Sequence, residues 1–150
     1  KELRLTARLI AGGFGTRVFG LELGGFDTHA LQLTNHAALL DELSRSLTAF
    51  QDDLAAKGIA DRVVTLVFSE FGRRVAENAS RGTDHGAAAP AFLVGEPVRG
   101  GLFGTPPDLT QLDQGDIPYS TDFRSLYTTL EADWLGLEPS TALPALGLLG

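Results

Sequence analysis

Arg62-Val63-Val64-Thr65-Leu66-Val67-Phe68 is the stretch on which the fold reading turns. It is apolar without polar/apolar alternation, which is how a strand covered on both faces reads. Such a strand belongs in the middle of a parallel sheet. Just before it, residues 34–57 carry Ala37, Leu40, Leu43, Leu47, Phe50 and Leu54 at three- and four-residue spacing. One apolar stripe at that spacing predicts a long amphipathic helix, with Asp41, Glu42, Arg45, Asp52 and Asp53 largely off it and Gly58 as its stop. Earlier still, the β-rich run from Thr16 to Leu23 is bounded by glycines and reads as a strand. Strand, helix and strand make a βαβ unit with a right-handed crossover. The expected class is therefore α/β with a mostly parallel sheet, in one domain over residues 1–150.

In an open parallel sheet, ligands gather beyond the carboxyl ends of the strands. Asp27 and His29 follow the first strand; Ser69, Glu70 and Arg73 follow the second. The topology predicts that both sets share one rim. The remaining chain reads more simply. Residues 2–11 fit a short amphipathic helix stopped by Gly12 and Gly13. Residues 72–89 read as a long loop of the kind that is often functional. Pro90 to Val94 reads as a short strand and residues 95–115 as turns. Asp122 to Leu135 reads as a helix capped by Thr121 or Asp122, and the tail after Gly136 as irregular packing.

Composition narrows the function classes. Hydrophobic content of 43% and charged content of 21% are globular values. The formal net charge is −7, with no basic face of the kind that nucleic acid requires. No apolar run spans a bilayer. Zero cysteines exclude disulfides, thiolate zinc sites and cysteine nucleophiles. The chain opens at Lys1 and holds no methionine, so it reads as a piece of a longer polypeptide or a mature form.

Chemistry concentrates in a few short stretches. Gly24-Gly25-Phe26-Asp27-Thr28-His29 pairs a carboxylate with an imidazole, a donor set suited to zinc, manganese or iron. His36 follows seven residues later; if the helix has begun by then, His29, Gln32 and His36 share a face. The competing reading makes Asp27 or Thr28 a helix cap. Gly82-Thr83-Asp84-His85-Gly86 supplies a second acid and imidazole, whose plain alternative is a turn closed by Asp84 on its own backbone. In Ser69-Glu70-Phe71-Gly72-Arg73-Arg74, Glu70 suits a ligand or a partner to a ligating histidine, and Arg73 suits an anionic oxygen; a plain Glu–Arg pair is the alternative. Asp122 with Arg124 is a fourth candidate, Asp122 also serving as a cap. The chain has no Gly-x-Ser-x-Gly elbow, no phosphate-binding loop and no serine or threonine in a nucleophile setting.

These motifs resemble a bacterial family, domain of unknown function 1501. The matching pieces are residues 24–29 with Gln32 and His36, Ser69–Arg73, Gly82–Gly86, and Thr121–Arg124 with Tyr127. The resemblance extends along nearly the whole chain and looks like the C-terminal part of a usual member. That family is placed among alkaline phosphatase- and sulfatase-like proteins, which implies a three-layer αβα fold of which this chain is a partial domain. It implies one or two divalent ions, zinc or manganese, on Asp27, His29, His36, Asp84 and His85. Gln32, Glu70 and Asp122 would support them, with Asp122 standing where a final histidine ligand has no match. Arg73 would contact the anionic group. The implied activity is hydrolysis of small phosphate or sulfate esters, with a nucleophile outside this chain; the alternative is an inactive exported module that keeps the fold. Periplasmic or exported location, and association with the rest of a longer chain or an oligomer, are implied the same way.

Overall fold

The apolar stripe of the long helix finds its partner in the first ten residues. The computed structural model describes residues 1–150, which fall into two compact units: Lys1–Val63 with Ala76–Asp84, and Val64–Val75 with His85–Gly150. In the first unit α1 (Glu2–Ala11) packs on the C-terminal half of α2 (Gln32–Ala56). Ala7, Phe50, Leu54 and Ile59 form the buried core, flanked by Leu3, Ile10, Ala60 and Val63. Gly13 and Gly58 take left-handed φ values of 71° and 65° after the two helices, a conformation that costs glycine little. No helix is long and apolar enough to cross a membrane.

The second unit holds the only part of the expected sheet that forms. β1 (Thr65–Val67) pairs antiparallel with β4 (Phe92–Val94), in the register Thr65↔Val94, Leu66↔Leu93 and Val67↔Phe92. β2 (Gly72–Glu77) and β3 (Thr83–Gly86) make a second two-stranded sheet, and the chain passes between the units within each of these strands. α3 (Arg124–Thr129) runs on into a wider helical turn at Leu130–Trp134, where the Leu135 N–H donates to the Leu130 carbonyl at 2.8 Å. The tail returns to residues 97–99: Arg99 N–H donates to Leu148 O and Gly150 N–H to Pro97 O.

Thr129 is fully buried in this unit. Its hydroxyl donates to Ser125 O at 2.7 Å and accepts the Leu146 N–H at 2.9 Å. Thr129→Val keeps the volume and strands that N–H. The expected loss is about 1–2 kcal/mol, read as a shifted urea midpoint at unchanged slope.

The parallel three-layer αβα architecture is therefore corrected to helices with two short antiparallel sheets. Two physical reasons account for it. β1 has one neighbour, not two, and its residues are only half-buried, so its apolar run does not mark a central strand. The run from Thr16 to Leu23 forms no strand, and Gly20 interrupts a stretch whose only β-branched residues are Thr16 and Val18. Without two parallel strands there is no βαβ crossover, and so no carboxyl-end rim on which to gather ligands. The expected loop at 72–89 contains β2 and β3.

Candidate metal centre

In the first unit, the Gly-rich stretch 24–29 leads into α2, and the turn at 78–82 meets it there. The helix starts at Gln32 behind Leu31, whose φ of 48° is left-handed. A helix start leaves backbone donors without partners. Here the turn accepts them: Leu31 N–H donates to Ser80 O at 3.1 Å and Gln32 N–H to Arg81 O at 3.0 Å. The Thr83 hydroxyl donates to Gln32 Oε1 at 2.7 Å, tying the same two segments by side chains. Neither Asp27 nor Thr28 caps the helix; the Thr28 hydroxyl turns back to Phe26 O.

This junction sets His29 between two carboxylates. Its Nε2 is 3.0 Å from Asp27 Oδ1, and its Nδ1 is 3.5 Å from Asp84 Oδ1. All three side chains are open to solvent, at 47%, 64% and 63% exposure for His29, Asp27 and Asp84. Two ligands about 2.1 Å from one ion, at 90–110° to each other, stand about 3.0–3.4 Å apart. The Asp27–His29 separation fits that bite. The second nitrogen of a ligating histidine commonly donates to a carboxylate that fixes the ring and its tautomer. Asp84 stands where that carboxylate belongs, which fits an orienting role better than direct ligation.

Asn78 was not singled out from the sequence. Its Nδ2 donates to Asp84 Oδ1 and to the His29 carbonyl, each at 3.1 Å. Its Oδ1 accepts the N–H groups of Ser80 at 2.9 Å and Gly82 at 3.1 Å. Asparagine binds the backbone two residues on in turns, and Asn78 with Ser80 and Gly82 was the available clue.

The remaining sequence candidates make contacts of their own. His36, on the first turns of α2, packs edge-on against Phe26 with centroids 5.8 Å apart, and its Nδ1 is buried without a hydrogen-bond partner. Gln32 holds Thr83 rather than an acid or imidazole. In the second unit His85 stacks flat on Phe71, centroids 4.0 Å apart, and the Arg73 guanidinium lies 5.0 Å from the Phe71 ring centre. Glu70 is exposed. Asp122 is taken by Arg124: Oδ1 accepts Nε–H at 2.9 Å and the Arg124 backbone N–H at 3.0 Å, and Oδ2 accepts from the guanidinium at 2.6 Å. The hydrogen bonds from Arg124 hold the Asp122 carboxyl down to about 2. It serves the start of α3.

The model of the family described as protein of unknown function (DUF1501) matches residues 2–139, and the chain belongs to that family. Nothing among the curated proteins or the solved structures matches it.

Proposed function

We propose that the first unit binds a divalent cation, zinc or manganese, through Asp27 Oδ1 and His29 Nε2, with Asp84 holding the ring. The observation that carries this is the His29 imidazole flanked by two carboxylates, one at ligand-to-ligand spacing and the other on the opposite ring nitrogen. The exposure of the pair supports a role toward a ligand from solvent. The chemistry we assign to the family motifs is metal-assisted hydrolysis of small phosphate or sulfate esters. A bound cation of this kind supplies Lewis acidity to an ester oxygen. Asp27 and His29 hold; Asp84 orients; the nucleophile is not assigned to any residue of this chain.

A second reading, an ion-holding module without turnover, is favoured by one observation. The hydroxyls within the two motifs are committed, Thr28 to Phe26 O and Thr83 to Gln32. The readings separate on two measurements. Protein dialysed against zinc or manganese, then freed of loose metal, is expected to retain about one ion per chain by elemental analysis. Release of nitrophenol from aryl phosphate or sulfate by the metal-loaded protein supports the hydrolase; stoichiometric metal without turnover supports the module. Failure to retain either ion at neutral pH removes both.

A further inference from the structure

We propose that Asn78 is the positioning residue of this centre, acting through Asp84 and His29 rather than on an ion or a substrate. The inference rests on the cation-holding reading above and deepens it. A side-chain amide offers two N–H donors and a carbonyl with two lone pairs. At Asn78 all four are used, and the partners divide by atom: Oδ1 holds the turn through Ser80 and Gly82, and Nδ2 holds the centre through Asp84 Oδ1 and His29 O. The division fixes the amide's orientation, because a flip would set two N–H groups against two N–H donors and an oxygen against two acceptors. One side chain thereby ties three separate pieces of the centre. It anchors the backbone of the loop that carries His29. It holds the carboxylate that faces His29 Nδ1, and it closes the turn that receives the start of α2.

The division by atom makes a turn-holding role separable from a centre-positioning role. Asn78→Asp keeps an oxygen for the Ser80 and Gly82 N–H groups. It replaces both donors by an acceptor and sets a carboxylate against Asp84. If Asn78 only holds the turn, this variant behaves like the natural chain. If it positions the centre, the turn survives and the centre loosens. The expected result is unchanged hydrogen-exchange protection of the Ser80 and Gly82 amides, with zinc affinity lowered about 10-fold or more in a chelator-buffered titration, the scale of losing an outer partner of a ligand. Zinc binding as tight as in the natural chain, with the turn intact, overturns the proposal. Exchange-labile Ser80 and Gly82 amides in Asn78→Asp also overturn the division by atom.

A measurement without metal keeps this test apart from the cation reading. In the metal-free natural chain the two side-chain amide protons of Asn78 should give a resolved, slowly exchanging pair, and Asp84→Ala should shift one of them while the other stays. If the natural chain binds no zinc, the cation reading falls and the Asn78 assignment is decided by that pair alone. A rapidly exchanging pair, or one blind to Asp84→Ala, refutes it.

Discussion

His29→Ala is expected to abolish zinc retention, weakening binding by more than about 100-fold, while His36→Ala is expected to leave it unchanged. Loss of an orienting partner alone costs about 10–100-fold in metal affinity, so loss of a ligand costs more. His29 supplies the nitrogen 3.0 Å from Asp27 Oδ1, and no backbone group replaces it. His36 has the same chemistry and lies only seven residues away, yet its ring packs against Phe26. The pair of variants therefore tests geometry, not histidine content. Equal losses from the two, read by competition with a zinc-chelating dye, would contradict the placement of both rings. Both variants should keep their helical circular dichroism, because neither residue belongs to the buried core of Ala7, Phe50, Leu54 and Ile59.

Gly82→Ala is expected to cost about 3 kcal/mol of stability and to weaken zinc binding with it. Gly82 is buried against the loop that carries His29. A Cβ there would run into the His29 carbonyl inside van der Waals contact and come within 2.9 Å of Ala30 N. These are backbone atoms, which cannot rotate away. Either the 78–82 turn retreats, breaking its hydrogen bonds to Leu31 and Gln32, or the His29 loop does, breaking the hold of Asn78. Chemical denaturation and the zinc titration should move together. Stability within about 0.5 kcal/mol of the natural chain, the range of an ordinary surface change, would show that the two segments do not approach so closely.

The helices were legible because the signal for them is local. Leu43, Leu47, Phe50 and Leu54 repeat with the period of a helix, and the structure gives Gln32–Ala56 against an expected 34–57. The sheet was not legible because pairing is not local. Val64 to Val67 is apolar whether its neighbour runs parallel or antiparallel, and nothing in those residues names Phe92–Val94 as the partner or its direction. The stretch 16–23 has strand composition and yet forms no strand, a difference that composition alone does not carry. The hairpin was missed although its turn, from Asn78 to Gly82, carries ordinary turn residues. Of the centre, Asp27, His29 and Asp84 were named from acid-and-imidazole spacing. Asn78 was not, because its part is to bind groups that only the fold assembles. The rim argument that linked Asp27 and His29 with Ser69, Glu70 and Arg73 has gone with the parallel sheet; what joins Asp84 to His29 is the turn at the head of α2.

The most direct test of the cation reading is anomalous diffraction at the zinc absorption edge from crystals of the chain soaked in zinc at neutral pH. The expected result is one strong peak about 2.0–2.2 Å from both Asp27 Oδ1 and His29 Nε2, with Asp84 still facing His29 Nδ1. A zinc peak elsewhere on the chain, with Asp27 and His29 bare, contradicts it.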